Sequence, residues 1–158
     1  MTDTISIADW QFRVDRDATR DYTMKCSTDH CLCPYCRNYY ETVDEAHPRL
    51  RSILDVFGIF LDGPCEVMPI EHNVILAAYR VTGTIVRSGK LRLYVDDVPL
   101  IPETSENGTF LLWAGPMELP WVQDIAPGDV ISPANEPEFL ERMTARVLTL
   151  LDTDIMNS

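Results

Sequence analysis

The chain has 158 residues, 46% of them hydrophobic and 24% charged, and its formal net charge at pH 7 is −12. This length and composition are typical of one globular domain that buries a single core. The negative charge argues against nucleic acid as a partner, and the longest apolar runs, at residues 74–79 and 110–114, are too short to span a bilayer.

The N-terminal residues indicate a cytoplasmic location. They are acidic and lack the charged and then apolar pattern of a secretory signal. Thiols stay reduced in the cytosol, so the five cysteines indicate metal or redox chemistry before a structural disulfide.

The first predicted element is a β-hairpin that leads into the cysteines. Residues 10–14 and 22–26 each alternate apolar and polar side chains, which is the period of a half-buried strand. Residues 15–21 are charged and poor in apolar side chains, and we expect them to connect the two strands.

A helical segment follows the cysteines. Cys33 and Pro34 mark its start, because a proline at the first helical position loses no hydrogen bond. Apolar residues then recur every three or four positions as far as Phe57. Pro48 divides the segment into two helices, and Gly58 is a natural C-terminal stop.

The middle of the chain predicts an antiparallel meander of about four strands. We expect a loop at residues 62–69 and a tight hairpin turn at Asn107-Gly108. Gly83 indicates a bulge or a bend, and Pro99 and Pro102 limit the strand that contains them to an edge or bent position. The remaining predicted strands are residues 74–86, 91–95, 110–114 and 117–122.

A C-terminal helix is the last predicted element. Asn135 and Glu138 form a capping box at its start, and its apolar face consists of Leu140, Met143, Val147, Leu150 and Leu151. The sequence therefore predicts a single α+β domain over residues 1–158. In this domain an antiparallel β-sheet meander is packed by the helical segment at residues 36–57 and by the C-terminal helix.

Four of the five cysteines lie close together in the sequence and predict a metal site. Four soft sulfur ligands are a set that tetrahedral zinc prefers. The predicted zinc ligands are Cys26, Cys31, Cys33 and Cys36, with His30 as a substitute ligand. Their spacing is more crowded than that of two separate Cys-x-x-Cys pairs, and it fits no iron–sulfur pattern.

The same residues support a second interpretation, as a redox site. Cys33-Pro-Tyr-Cys36 has the sequence of the active-site tetrapeptide of glutaredoxins, and a cysteine at a helix N-terminus has a lowered pKa that favours the nucleophilic thiolate. Cys36 would resolve the mixed disulfide, so Cys33 and Cys36 are catalytic residues only if the protein is redox-active. The helical pattern that continues to Phe57 argues against the glutaredoxin fold.

A third interpretation assigns the cysteines no chemistry: Cys36 packs on the apolar face of the helix and the other thiols are incidental. The sequence contains no histidine spacing that defines a hydrolytic triad or a metalloprotease, and it contains no dinucleotide fingerprint. Apart from zinc, the sequence predicts no cofactor.

The acidic residues are concentrated late in the chain. Residues 96–158 hold 12 of the 25 acidic residues, but only Arg142 and Arg146 among the 13 basic ones. Such a field attracts a basic protein surface, although a solvated acidic face also keeps a protein soluble.

The segment Cys33-Pro-Tyr-Cys36-Arg37-Asn38-Tyr39 resembles the Cys-x-x-Cys-Arg-Asn-Phe signature of a family of small, functionally uncharacterised bacterial proteins. The resemblance extends over residues 31–125 and includes Pro48, Phe57-Gly58-Ile59, residues 63–67, residues 79–85 and the predicted strand Glu118-Leu119-Pro120-Trp121-Val122. It implies a cytosolic, single-domain bacterial protein and implies no activity. Tyr39 stands where the family has phenylalanine.

These patterns predict a non-enzymatic, acidic, cytosolic binding or regulatory protein, such as an inhibitor or immunity protein, whose cysteine cluster holds a structural metal. The alternative is a thiol–disulfide oxidoreductase that uses Cys33 and Cys36. We expect a basic protein as the partner, and we expect neither nucleic acid nor a membrane.

Overall fold

Three helices and a seven-stranded antiparallel sheet make up the described part of the chain, which in the computed structural model is residues 2–29, 31–71 and 73–127. The helices are α1 (Arg16–Thr28), α2 (Pro34–Ala46) and α3 (Leu50–Val56). The strands are β1 (Asp3–Ile7), β2 (Trp10–Val14), β3 (Glu66–Glu71), β4 (Val74–Arg87), β5 (Leu93–Val95), β6 (Val98–Thr104) and β7 (Thr109–Glu118). The predicted α+β class is confirmed, whereas the predicted helix at residues 135–151 lies outside the described residues.

The sheet is organised around β4, which has 14 residues. The strand order is β1-β2-β4-β7-β6-β5, and β7 occupies one edge of β4. The other edge is shared, because β3 pairs with residues 74–78 and β2 pairs with residues 83–87. Between these two partners, residues 79–82 have no paired strand on that edge among the described strands.

Helix α1 covers this gap in the sheet edge. The Asp15 N–H donates to the Thr82 carbonyl (2.9 Å), and the Thr82 N–H donates to the Thr19 hydroxyl (3.0 Å). Asp15 also caps the helix, because its carboxylate accepts the Ala18 N–H at 3.0 Å. A threonine side chain thus makes the hydrogen bond that a neighbouring strand would otherwise supply.

The predicted strand at residues 22–26 and the predicted connection at residues 15–21 are therefore wrong, because both belong to α1. The apolar period of a helix is missing here, since its buried side chains are Thr19 and Thr23. The Thr23 hydroxyl donates to the Thr19 carbonyl (2.9 Å) and accepts the Phe60 N–H (2.9 Å). The threonines are therefore buried with their hydrogen bonds satisfied.

The two helices predicted after Cys33 are confirmed. Helix α2 begins at Pro34, and Gly58, with a φ of 81°, follows the end of α3. This left-handed conformation stops a helix, and a Cβ atom at Gly58 would come within 2.4 Å of the Arg16 carbonyl oxygen. None of the helices in the described ranges is long and apolar enough to cross a membrane.

The main core lies between α2, α3 and one face of the sheet. At its centre Tyr39 of α2 and Tyr79 of β4 are fully buried, and their hydroxyl groups hydrogen-bond to each other. The Tyr79 hydroxyl donates to the Leu61 carbonyl (2.6 Å), so Tyr39 is the donor between the two tyrosines. This chain of hydrogen bonds links α2, β4 and the loop before β3.

The opposite face of the sheet carries a second apolar cluster. Its buried members are Met68, Leu76, Ala78, Ile101 and Trp113, each at most 4% exposed. They come from β3, β4, β6 and β7 and alternate along the strands with members of the main core. Both faces of the central sheet are therefore removed from water.

The meander predicted for the middle of the chain is present, and the Asn107-Gly108 turn joins β6 to β7 with φ values of 58° and 70°. The loop predicted at residues 62–69 is wrong in its second half, which belongs to β3. The strand predicted at residues 117–122 is wrong beyond Glu118, where β7 ends. In both segments a proline interrupts the alternation that identifies a strand.

Strand β6 lies between β5, which pairs with its residues 98–100, and β7, which pairs with its residues 100–104. Among the described strands Pro99 is therefore paired with β5 alone and Pro102 with β7 alone, so each proline has the one-sided pairing predicted for it. Gly83 pairs in register with Val14, so it marks no bulge; the irregularities of β4 lie on either side of it. A Cβ atom at Gly83 would come within 2.1 Å of the Arg13 carbonyl oxygen, which explains the glycine by close approach of β2.

Candidate metal and thiol site

Three of the predicted cysteines meet where the chain enters α2. The sulfur atoms of Cys31, Cys33 and Cys36 all lie within 4.8 Å of one another. Cys31 is exposed, Cys33 is half-buried and Cys36 is buried, so the group opens to solvent on one side. In the described residues it is the one group of cysteine, histidine and acidic side chains with the close spacing that a metal ion requires.

The start of α2 explains this arrangement. Cys33 has an extended backbone (φ −64°, ψ 156°) and precedes Pro34 as the N-cap residue. The Arg37 N–H donates to the Cys33 carbonyl (2.9 Å), which closes the first turn and brings Cys36 beside Cys33. The Cys33 N–H donates to the Cys31 sulfur (3.4 Å), which turns Cys31 back toward the helix.

The neighbours of Cys33 make its thiol acidic. A hydrogen bond with the Cys36 side chain is the main cause that lowers the pKa of Cys33 to about 5; burial opposes it, and the N–H groups of Cys36 and Tyr35 and the Cys31 thiol reinforce it. The same hydrogen bond, followed by burial, raises the pKa of Cys36 well above its ordinary value. The pair is therefore arranged as a thiolate at Cys33 and a thiol at Cys36.

Two tyrosines lie next to the three sulfur atoms. Burial is the main cause that raises the pKa of Tyr40, and negative charge on Cys36, Cys31 and Cys33 raises it further. Burial and the charge of Cys33 also raise the pKa of Tyr35. Both phenols therefore stay neutral, and among the described residues the strongest influences on Cys33 and Cys36 include no lysine or arginine.

Cys26, the fourth predicted cysteine ligand, is not part of this group. It lies on α1, where its side chain hydrogen-bonds to Tyr22 and has Cys65 as an electrostatic neighbour. His30, the predicted substitute ligand, lies outside the described residues and precedes Cys31 in the sequence. The structure therefore brings three of the four predicted cysteine ligands together.

Sequence reasoning missed Asn38, which fixes α2 to the segment after β7. Its side chain donates to the Pro120 carbonyl (2.9 Å) and accepts the Val122 N–H (2.9 Å), and the residue is 2% exposed. The available signal is an asparagine that shares the buried side of α2 with Tyr35 and Thr42. A polar residue in that position requires a hydrogen-bond partner.

The segment after β7 and Cys33 share one neighbour, the side chain of Tyr35. The Tyr35 hydroxyl donates to the Pro127 carbonyl (2.9 Å), and the Tyr35 and Trp121 rings meet edge-on with centroids 5.5 Å apart. Cys33 and Trp121 both pack against Tyr35. Tyr35 therefore links Cys33 to the segment after β7.

The three cysteines can hold a soft metal ion. A zinc–sulfur bond of about 2.3 Å in tetrahedral geometry places ligand sulfur atoms about 3.8 Å apart. The sulfur atoms already lie within 4.8 Å of one another, so a closer approach of about 1 Å through side-chain rotation satisfies this geometry. Three sulfur ligands leave a fourth position for another group.

No protein-family model, no curated protein and no solved structure matches this chain. The resemblance to the Cys-x-x-Cys-Arg-Asn family therefore stays a prediction.

Proposed function

We propose that this chain is a non-enzymatic, acidic binding or regulatory protein that holds one zinc ion at Cys31, Cys33 and Cys36. The observation that carries the proposal is the approach of the three sulfur atoms to within 4.8 Å at the start of α2. Thiolates are soft ligands that suit zinc, and the charge of the ion offsets the repulsion between them.

The chain itself offers a fourth ligand for this ion. His30 is adjacent to Cys31, and a neutral imidazole completes the Cys₃His set found in structural zinc sites. Zinc would then join the α1–α2 connection to the first turn of α2. In this proposal the metal orders a short loop, and it carries out no reaction.

Metal analysis tests this proposal. The protein, purified under reducing conditions without a metal-affinity tag, should contain about one zinc per chain, as expected for one such site. Cys31→Ser and Cys36→Ser should abolish binding, because each removes one of the three clustered sulfur atoms.

Cys65→Ser is the matched control, since Cys65 is a free cysteine outside the cluster and should bind zinc as the wild type does. Recovery of metal-free protein that takes up no added zinc would contradict the proposal. The His30→Ala variant tests the fourth ligand separately, and we expect weaker binding with the same stoichiometry.

The acidic charge supports a basic protein as the binding partner. Within residues 96–127 the sequence has six acidic residues and no lysine or arginine: Asp96, Asp97, Glu103, Glu106, Glu118 and Asp124. Association with a basic partner should slow steeply as salt is raised, because electrostatic attraction acts mainly on the association rate. Replacement of the exposed Asp97 and Glu106 by lysine should slow association with an isolated partner, whereas an unchanged rate would assign these charges to solubility alone.

A thiol–disulfide oxidoreductase is the second candidate, and one observation favours it. The lowered pKa of Cys33 and the hydrogen bond from Cys36 match a nucleophilic thiolate with a resolving thiol one turn later. The zinc-free, reduced protein should then reduce a glutathione mixed disulfide, and Cys33→Ser should abolish that activity. Cys31→Ser should retain it, which separates this function from zinc binding.

A further inference from the structure

The three clustered sulfur atoms lie within 4.8 Å of one another, and the exposed Cys31 opens the group to solvent on one side. Two kinds of bonding suit sulfur atoms this close together. A divalent cation can bind all three sulfur atoms, or a disulfide bond can join two of them.

Cys33 and Cys36 are the two sulfur atoms best placed to form that bond. They lie one helical turn apart, at the N-cap and the third helical residue, and their side chains already hydrogen-bond to each other. Cys31 lies on the exposed side of the group and precedes the helix. A bond between Cys33 and Cys36 would leave only Cys31 and the proposed ligand His30, which is fewer than the three or four protein ligands of zinc sites.

From this arrangement we propose that the zinc site is controlled by oxidation: a disulfide between Cys33 and Cys36 releases the metal. The inference rests on the proposed zinc function and adds its regulation. A low-molecular-weight disulfide is the oxidant. The Cys33 sulfur attacks one sulfur atom of this disulfide, the sulfur–sulfur bond of the oxidant breaks, and its first half leaves as a thiolate. The Cys36 sulfur then attacks the Cys33 sulfur of the mixed disulfide, and the second half of the oxidant leaves as a thiolate.

The electron and proton balance of this reaction explains why the zinc ion is released. Cys33 and Cys36 lose two electrons to the oxidant, and the two released thiolates take up two protons to become thiols. The zinc ion loses two of its three cysteine ligands and leaves as a dication. Reduction by a thiol reverses each step, so the site can be loaded again.

The exposure of the two cysteines determines which of them reacts first with the oxidant. Cys33 is half-buried and the adjacent Leu32 is 70% exposed, so a small disulfide reaches Cys33 from solvent. Cys36 is buried beneath it and reacts in the second, intramolecular step. The structure thus assigns the attacking position to Cys33 and the resolving position to Cys36.

The experiment uses the full chain with Cys26 and Cys65 replaced by serine, so that the three cluster thiols are the only ones present. The zinc-loaded protein is treated with glutathione disulfide, and released zinc and remaining thiols are followed together. We expect release of the bound zinc in step with loss of two of the three thiols, and rebinding after a reductant is added and removed. Added to this background, Cys31→Ser should bind no zinc and should still lose both thiols to an intramolecular disulfide.

The outcomes separate this inference from the proposed function. Zinc that binds but stays bound while thiols are oxidised would overturn the inference and leave the zinc function intact. The same holds if the Cys31→Ser protein acquires two glutathione groups in place of an internal disulfide. If the reduced protein binds no zinc, the proposed function fails and the inference fails with it.

Discussion

At the scale of single residues, the acidity of Cys33 makes a direct prediction about reactivity. An ordinary cysteine has a pKa of about 8.5, so its alkylation accelerates between pH 7 and pH 9. The pKa of Cys33 is about 5, chiefly because of its hydrogen bond with Cys36. In the reduced, zinc-free protein its alkylation by iodoacetamide should therefore be near its maximum by pH 7 and should fall as the pH drops through 5.

Cys36 provides the control for this titration. In Cys36→Ala the hydrogen-bond donor to the Cys33 sulfur is lost, and we expect the pH profile of Cys33 to move toward that of an ordinary cysteine. Cys33→Ser should lack the fast reaction altogether. A wild-type profile with no reactive thiol below pH 8 would remove the basis of the oxidoreductase alternative.

The buried tyrosine pair makes a second prediction at this scale. Tyr79 both donates to Leu61 and accepts from Tyr39, so Tyr79→Phe leaves two buried groups without a partner. It should lower the free energy of unfolding by about 1–3 kcal/mol, as measured by urea denaturation. Tyr39→Phe removes a donor only and should cost less.

Tyr94→Phe serves as the exposed control for these two variants. Tyr94 is 55% exposed, and loss of its hydroxyl should change stability by less than about 0.5 kcal/mol. Equal stability of the Tyr79→Phe and Tyr94→Phe proteins would show that the buried hydrogen bonds contribute nothing net.

At the scale of elements, Asn38 should decide whether α2 stays attached to the segment after β7. Asn38→Ala removes both hydrogen bonds to this segment and leaves the Pro120 carbonyl and the Val122 N–H unpaired. We expect a loss of about 2 kcal/mol in unfolding free energy and a change in Trp121 fluorescence.

Gln123→Ala is the matched control for Asn38. Gln123 also joins the segment to α2, through Glu41, but this bond is exposed and should contribute little. If the two variants are equally stable, the Asn38 hydrogen bonds contribute nothing net, and the contacts of Tyr35 with Trp121 and Pro127 hold the segment.

The two helices with an apolar period of three to four residues could be predicted from the sequence, and the helix without one could not. The stripe that ends at Phe57 and the stop at Gly58 identified α2 and α3 correctly. Helix α1 was not predicted because its buried side chains are Thr19 and Thr23, which give no apolar period. Their hydroxyls accept hydrogen bonds from backbone N–H groups of distant segments. The partners of those hydroxyls are set by tertiary packing, which local sequence does not encode.

Part of the candidate site could also be predicted from a local sequence pattern. Cys33, Pro34 and Cys36 belong to one helix start, so local rules place them together. Cys26 is predicted as a ligand only because it lies within eleven residues of the other three cysteines in the sequence. As part of α1 it lies instead by Tyr22 and Cys65, which no local pattern indicates.

At the scale of the whole molecule, zinc should stabilise the folded chain by mass action. The cysteines come together only when α2 has begun, so the unfolded chain binds the ion less well. At free zinc about 100 times the dissociation constant, the gain is about 2.7 kcal/mol. The Tm should therefore rise with buffered zinc for the wild type and for Cys65→Ser.

Cys31→Ser tests whether that stabilisation acts through the cluster. Its Tm should not respond to zinc, while its unfolding in the absence of metal should resemble that of the wild type, since Cys31 is exposed. A zinc-dependent rise in the variant would place the metal at another site.

Pairing of β2 with the far end of β4 makes folding depend on distant parts of the chain. Gln11 pairs with Arg87, and all three described helices lie between them in the sequence. Bringing β2 and β4 together closes a long loop, and the chain loses conformational entropy before the two strands make stabilising contacts. This loss slows folding. During synthesis, β2 and Thr19 of α1 therefore lack their partners in β4 until β4 has left the ribosome.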